Sequence, residues 1–193
     1  MSRIGQQPIS LPGGVQVSVD GGEVTVTGPK GTLSRRLPSA ISIKMQDGQV
    51  VCERPTNSKQ HRSLHGLTRT LLNNMVVGVT QGYEKRMDVI GVGYRAEMQE
   101  KKLKLQVGLS HEVLVEPLPR VELEVGQDTN TRMPFVILRS IDKEALGQQA
   151  AELRAIKPPS PYKKPTERFS KGIRYHGELV RHKAGKAGKA GAK

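Results

Sequence analysis

Residues 15–28 read VQVSVDGGEVTVTG. Val15, Val17 and Val19 alternate with polar residues, the period of a strand buried on one face. Asp20-Gly21-Gly22 supplies a hairpin turn, and Val24 and Val26 begin the return strand. Gly28-Pro29-Lys30-Gly31 makes the next turn, with Lys30 at an exposed hairpin tip. Leu33 and Leu37 lead to Ile41 and Ile43, and Asp47-Gly48 turns the chain into Val50, Val51 and Cys52. The pattern predicts one antiparallel meander, apolar on one face, after an irregular lead-in marked by Pro8, Pro12 and Gly13-Gly14.

A helix follows, capped by Asn57 or Ser58 and running to Val79. Leu64, Leu67, Leu71 and Met75 recur at helical spacing and are expected to form its buried stripe. Arg62, Gly66, Arg69 and Asn73 share the same spacing on the other side. Either that side is a solvated face, or the glycine between two arginines lets a phosphate backbone come close.

The order then recurs. VTVTG at 24–28 lies over LKLQVG at 103–108, Leu37-Pro38 over Leu118-Pro119, and Ile41 and Ile43 over Val121 and Leu123. Tyr83–Ile90 reads as an opening strand, Val113 and Val115 alternate, and Phe135–Leu138 is a further strand. Asp142 can cap a second helix to Ile156, with Leu146, Ala150 and Leu153 inward and Pro158-Pro159 ending it. Strands and then one helix, twice, predict an α+β fold: a tandem duplication of a small antiparallel β-sheet packed on one α-helix, with an irregular basic C-terminal extension. The expected divisions are residues 1–82 and 83–157 for the repeats, 158–182 for the extension and 183–193 for a disordered Lys-Ala-Gly tail.

Composition limits the function. The chain has 193 residues, 35% of them hydrophobic, with two Phe, four Tyr and no Trp, so two small aliphatic cores are expected. The formal charge is +13, and its distribution matters more than its total. Residues 1–82 carry +5, residues 83–156 carry −1 and residues 157–193 carry +9, so the excess sits at both ends. The balance points to nucleic acid or an anionic membrane surface as the partner. The single Cys52 excludes an internal disulfide and suits a reducing compartment. No apolar run has the length of a membrane span, and MSRIGQQPISLPGG lacks the apolar core of a signal peptide, so a cytoplasmic protein is expected.

The charge concentrates in Lys157–Tyr175, KPPSPYKKPTERFSKGIRY. Its four prolines forbid a regular helix or central strand, and it holds three of the six aromatic residues. Such a segment can lie along a nucleic acid with cations on phosphates and rings against bases; a solvated linker is the alternative. Other chemistries find less support. Gly28–Gly31 lacks the Gly-Lys-Ser/Thr ending of a phosphate loop. Gly91-Val92-Gly93 lacks the third glycine of a dinucleotide site. His61 and His65 have the spacing of a zinc clamp, but no third ligand follows. No metal, no cofactor and no catalytic grouping is expected.

Five motifs in order carry a resemblance: SRIGQQPI, VTGPKGTLS, QHRSLHGLTRTLLNNMVVGV, VIGVGYRA and PYK…KGIRY. In these the chain resembles the bacterial form of large-subunit ribosomal protein six. The resemblance implies a structural, non-enzymatic constituent of the large subunit, bound to 23S-type rRNA near the stalk base. There it would lie beside the sarcin–ricin loop, with neighbouring ribosomal proteins and translation factors close by, and without homo-oligomers. Motif by motif, it carries over Tyr162, Lys163, Lys171, Gly172, Arg174 and Tyr175. The family runs PYK-G-KGIRY without a gap, whereas KPTERFS here separates Lys163 from Lys171, adding Lys164 and Arg168. The full candidate rRNA-binding set adds Arg3, Arg62, His65, Gly66, Arg69, Asn73, Gly93, Tyr94, Arg95, Lys157, Arg181 and Lys183. Non-specific nucleic-acid condensation through the basic tail is the competing reading.

Overall fold

The computed structural model describes residues 3–46, 48–162 and 170–183. The chain forms two compact units, Met1–Tyr83 with Ile141–Lys143, and Glu84–Ser140 with Glu144–Lys193.

The first unit contains β1 (Ile9–Ser10), β2 (Gln16–Asp20), β3 (Glu23–Gly28), β4 (Gly31–Arg36), β5 (Ser42–Gln46), β6 (Gln49–Glu53) and α1 (Lys59–Thr80). Gly21 and Gly22 both hold positive φ, as a two-residue turn between right-twisted strands requires, and set the register Asp20↔Glu23. The expected single meander is instead two three-stranded sheets, β2-β3-β4 and β1-β6-β5. Leu37-Pro38 is the physical break. Proline has no N–H for a ladder, and Ile41 N turns back to donate to the Pro38 carbonyl at 3.3 Å. The lead-in also departs from expectation, since Ile9 pairs with Val50 and is buried in the core.

Ser58 caps α1 by accepting from His61 N at 3.1 Å. The buried face of α1 is rotated from the expected one: His65, Thr68, Leu72, Met75, Val76 and Val79 point inward. Leu67 is 50% exposed, and Leu64 and Leu71 only flank the core. Both stripes have helical spacing in the first half of the helix. The apolar second half, Met75 to Val79, fixes which one faces the sheets, where it meets Val24, Val26 and Val50. Lys30 is likewise more than an exposed tip. Its backbone N–H donates to Val79 O at 2.9 Å and its ammonium to Gln81 O, placing a cation on the negative end of the helix.

The second unit contains β7 (Tyr83–Ile90), β8 (Arg95–Gln99), β9 (Lys102–Gln106), β10 (Val113–Val115), β11 (Val121–Gln127), β12 (Pro134–Ser140), α2 (Lys143–Ile156) and β13 (Gly172–Tyr175). Its sheets run β10-β9-β8 and β11-β12-β7-β13. The duplication is now explicit: β8-β9-β10 repeats β2-β3-β4, and β7-β12-β11 repeats β1-β6-β5, each set followed by one helix. Met87, Val89, Leu103, Leu105, Leu138, Leu146, Ala150 and Leu153 make an aliphatic core, each at most 1% exposed.

β13 has no counterpart in the first unit. It corrects the expectation of an irregular extension, because Gly172–Tyr175 adds antiparallel to β7 in the register Ile173↔Val89. Ile173 is 1% exposed, so this part of the basic stretch contributes to a core after all. The prolines that forbid a strand all precede it.

Candidate RNA interface

Where α2 ends, the second unit gathers three pieces of its C-terminal segment side by side. Ile173 N donates to Lys157 O at 2.7 Å, Ser160 N to Lys171 O at 2.9 Å, and Lys183 N to Pro161 O at 2.9 Å. The bend through Pro158-Pro159 lets the chain lie along β13 without needing those two N–H groups. Lys157 and Lys171 are half-buried, while Tyr162, Arg181 and Lys183 are exposed. These bonds therefore collect cations and one aromatic ring at a single edge of the unit. Lys163, Lys164 and Arg168 lie outside the described residues.

An internal ion pair fixes this edge. Arg154 donates to Glu178 through Nε at 3.2 Å and a terminal nitrogen at 2.6 Å, and Tyr175 N donates to the same carboxylate at 3.1 Å. The Arg154 bond holds the Glu178 carboxyl below its ordinary range against the opposing effect of partial burial, and the Tyr175 N–H adds to it. The Tyr175 ring is half-buried with the Lys85 ammonium 5.3 Å from its centre. Gly172, one of the carried-over candidate residues, is buried against Pro158 and Pro159. Its missing Cβ serves the chain's own fold.

The Gly91–Arg95 loop is a second exposed feature of this unit. Gly93 is exposed at φ +77 with open space where a Cβ would stand, and Arg95 is exposed at the start of β8. The Tyr94 ring lies over Gly91 and Gly108, where it would meet a Cβ at 2.6 Å and 3.2 Å. It braces two adjacent loops and is only half-exposed.

In the first unit Arg3 and Arg62 are exposed, and Gly66, Arg69 and Asn73 are half-buried. Arg69 Nε donates to Gln7 O at 3.2 Å, tying the lead-in to α1. His65 corrects the sequence reading, being 3% exposed beneath Gly5. Its Nε2 bonds to Cys52 O at 2.9 Å and its Nδ1 to an Arg54 nitrogen at 3.2 Å. The Nε2–H tautomer satisfies both contacts, so the imidazole is committed to the fold and turned away from any external phosphate. His61 is engaged by Thr56 Oγ1 at 2.7 Å. Among the described residues no group of three or more His, Cys, Asp or Glu could hold a metal ion. Burial raises the Cys52 thiol, with Arg69 acting in the opposite direction, so it is a core residue rather than a nucleophile.

The near-neutral middle also has a structural explanation. Lys102–Glu116, Lys104–Glu112 and Arg139 with both Glu84 and Glu124 form ion pairs. The hydrogen bonds within them lower Glu112 and Glu116 and raise Lys104 and Arg139. These charges satisfy one another, leaving the C-terminal edge as the part of this unit with cations in excess. Sequence reading missed Arg86, Asp88 and His176, which form a linked set on one face of β7. The alternation in RMDVI, 86–90, is the signal that puts residues 86, 88 and 90 on one side.

The described residues thus form a duplicated α+β chain whose second unit carries a basic edge. The comparisons agree with this duplication. The family model described as "Ribosomal protein L6" matches residues 11–82 and 90–164, one stretch in each half. The large ribosomal subunit protein uL6 of Pelotomaculum thermopropionicum is 51% identical over 193 residues, covering all of both chains. Those of Carboxydothermus hydrogenoformans and Rubrobacter xylanophilus are each 48% identical, over 193 and 188 residues, covering 100% and 97% of this chain and all of their own. The chain belongs to the ribosomal protein L6 family, and is a non-enzymatic, rRNA-binding protein of the large ribosomal subunit.

Proposed function

We propose that the chain docks on 23S-type rRNA chiefly through its second unit and C-terminal segment. Its place would be near the stalk base and the sarcin–ricin loop of cytoplasmic ribosomes, beside neighbouring ribosomal proteins and within reach of translation factors. The observation that carries this reading is the trio of backbone bonds Ile173–Lys157, Ser160–Lys171 and Lys183–Pro161, which holds separate basic segments on one edge. A preorganised edge loses less conformational entropy on binding than a loose tail, and its lysines and arginines release counterions from the phosphates they meet. The edge residues set affinity and orientation, while RNA shape, 2′-hydroxyls and splayed bases supply selectivity. The Gly93–Arg95 loop and the exposed Arg3 and Arg62 are further contact points in this proposal.

The test is incorporation of the full chain into large subunits lacking their own copy, followed by a high-salt wash and hydroxyl-radical footprinting of the rRNA. Retention after the wash, with protection confined to the stalk base and sarcin–ricin region, is the expected result. Release by the wash, or protection scattered along the RNA, would overturn the proposal.

A further inference from the structure

One face of the four-stranded sheet in the second unit holds a concavity of about 130 Å³ that the basic edge does not use, with Ile90, Met133 and Pro134 giving it a largely apolar wall. It lies on the side of β7 opposite Met87 and Val89, and its polar lining is Arg86, Asp88, Asp128, Thr131, Arg174 and His176. The space equals a few water molecules at about 30 Å³ each, enough for the edge of a ring but not for a whole nucleotide.

Its side chains are fixed by one another. Asp88 accepts from Arg86 Nε at 3.0 Å and from His176 Nδ1 at 3.0 Å. Asp128 accepts from Asn130 N at 3.1 Å and Thr131 Oγ1 at 3.0 Å, and an Arg86 nitrogen lies 3.8 Å from it. The Arg86 guanidinium rests on the Phe135 ring, 4.0 Å from its centre. Arg174 stands directly across the ladder from Asp88.

The mixture of groups selects the ligand. Two carboxylates make the pocket unsuitable for a phosphate, and two guanidinium groups make it unsuitable for a cation. Carboxylate acceptors beside guanidinium donors do complement the Watson–Crick edge of guanine, which sets the O6 acceptor next to the N1–H and N2–H donors. A carboxylate offers about four lone-pair sites and a guanidinium five N–H donors, so Asp88 and Arg86 retain capacity beyond their mutual bond. We infer that this pocket receives the edge of one unstacked guanine of the rRNA. Asp88 accepts from N1–H and N2–H, and the guanidinium of Arg86 donates to O6. The inference rests on the rRNA-docking proposal and adds, on the sheet face, a defined pocket for one base to the phosphate contacts of the basic edge.

The test compares large subunits carrying the full chain, its Asp88→Asn variant or its Met133→Phe variant. The first removes the bidentate acceptor; the second fills the pocket while leaving every charge in place. Guanines are probed at N1 and N2 with kethoxal, and the whole rRNA by hydroxyl-radical footprinting. One guanine shielded by the parent protein is expected to become at least about fivefold more reactive with either variant, while the hydroxyl-radical footprint stays unchanged. An unchanged kethoxal pattern with an intact footprint would overturn the guanine pocket alone. Loss of the parent footprint itself would instead defeat the docking proposal beneath it. A change confined to an adenine or cytosine probed in parallel would also overturn the assignment to guanine.

Discussion

A Cβ on Gly172 would stand 2.6 Å from the Pro159 Cα, closer than real side chains approach backbone. Gly172 also has φ +138, a conformation that side chains seldom adopt. Both facts tie the start of β13 to the Pro158-Pro159 bend, and with it two of the bonds that assemble the basic edge. Gly172→Ala is therefore expected to destabilise the second unit by about 2–4 kcal/mol, from strain and overlap together. Denaturant unfolding checks this; a loss below about 0.5 kcal/mol, the size of a neutral surface change, would show that the bend is not held this way.

The Arg154–Glu178 pair makes the same edge sensitive to acid. Because the folded pKa of Glu178 lies below its ordinary value of 4.5, its contribution is complete above that pH and is lost as pH falls through the folded pKa. Glu178→Gln should cost about 1 kcal/mol at pH 7, a modest figure because both partners are partly exposed. The gap between parent and variant should close on acidification below about pH 4.5. Melting temperatures between pH 7 and pH 3 measure it, and a gap that widens toward low pH would contradict the sign.

Much of this fold was legible because strand alternation and turn chemistry are local. Gly21-Gly22, the Val24/Val26 pair and the Asp142 helix start needed no tertiary information, and the repeat of 24–28 at 103–108 exposed the duplication. What stayed hidden depended on distant partners. Ile9 is a strand residue only because Val50 lies opposite, and Gly172–Tyr175 is a strand only because β7 offers an edge. In the candidate interface, exposed cations such as Arg181 and Lys183 could be read from charge alone. His65 could not, because its two ring nitrogens are claimed by Cys52 in β6 and by Arg54 just after it.

The rotated face of α1 gives a direct comparison within one helix. Leu72 is 1% exposed and Leu67 is 50% exposed, although both fit an apolar stripe by spacing. Leu72→Ala should cost about 2–5 kcal/mol through the cavity it leaves, and Leu67→Ala under about 1 kcal/mol. Urea unfolding of both variants separates them. Similar losses would mean that the sequence stripe through Leu64 and Leu71, and not the one seen here, faces the core.

The strongest discrimination between a built interface and a sticky tail comes from salt. If Lys171, Arg181 and Lys183 each meet a phosphate, replacing all three by Ala should flatten the slope of log K against log salt by about 2–3, with affinity falling most at low salt. Removing residues 184–193 deletes Lys186, Lys189 and Lys193, an equal number of charges. On the docking proposal these two changes differ in kind. The truncation lowers affinity for every RNA by a similar modest factor and keeps the preference for the stalk-base segment, whereas the triple substitution erodes that preference. Titration against the stalk-base rRNA, an unrelated RNA hairpin and duplex DNA reads both. Binding to all three abolished by the truncation alone, with the triple variant unaffected, would make the chain a general condenser acting through its Lys-Ala-Gly repeats.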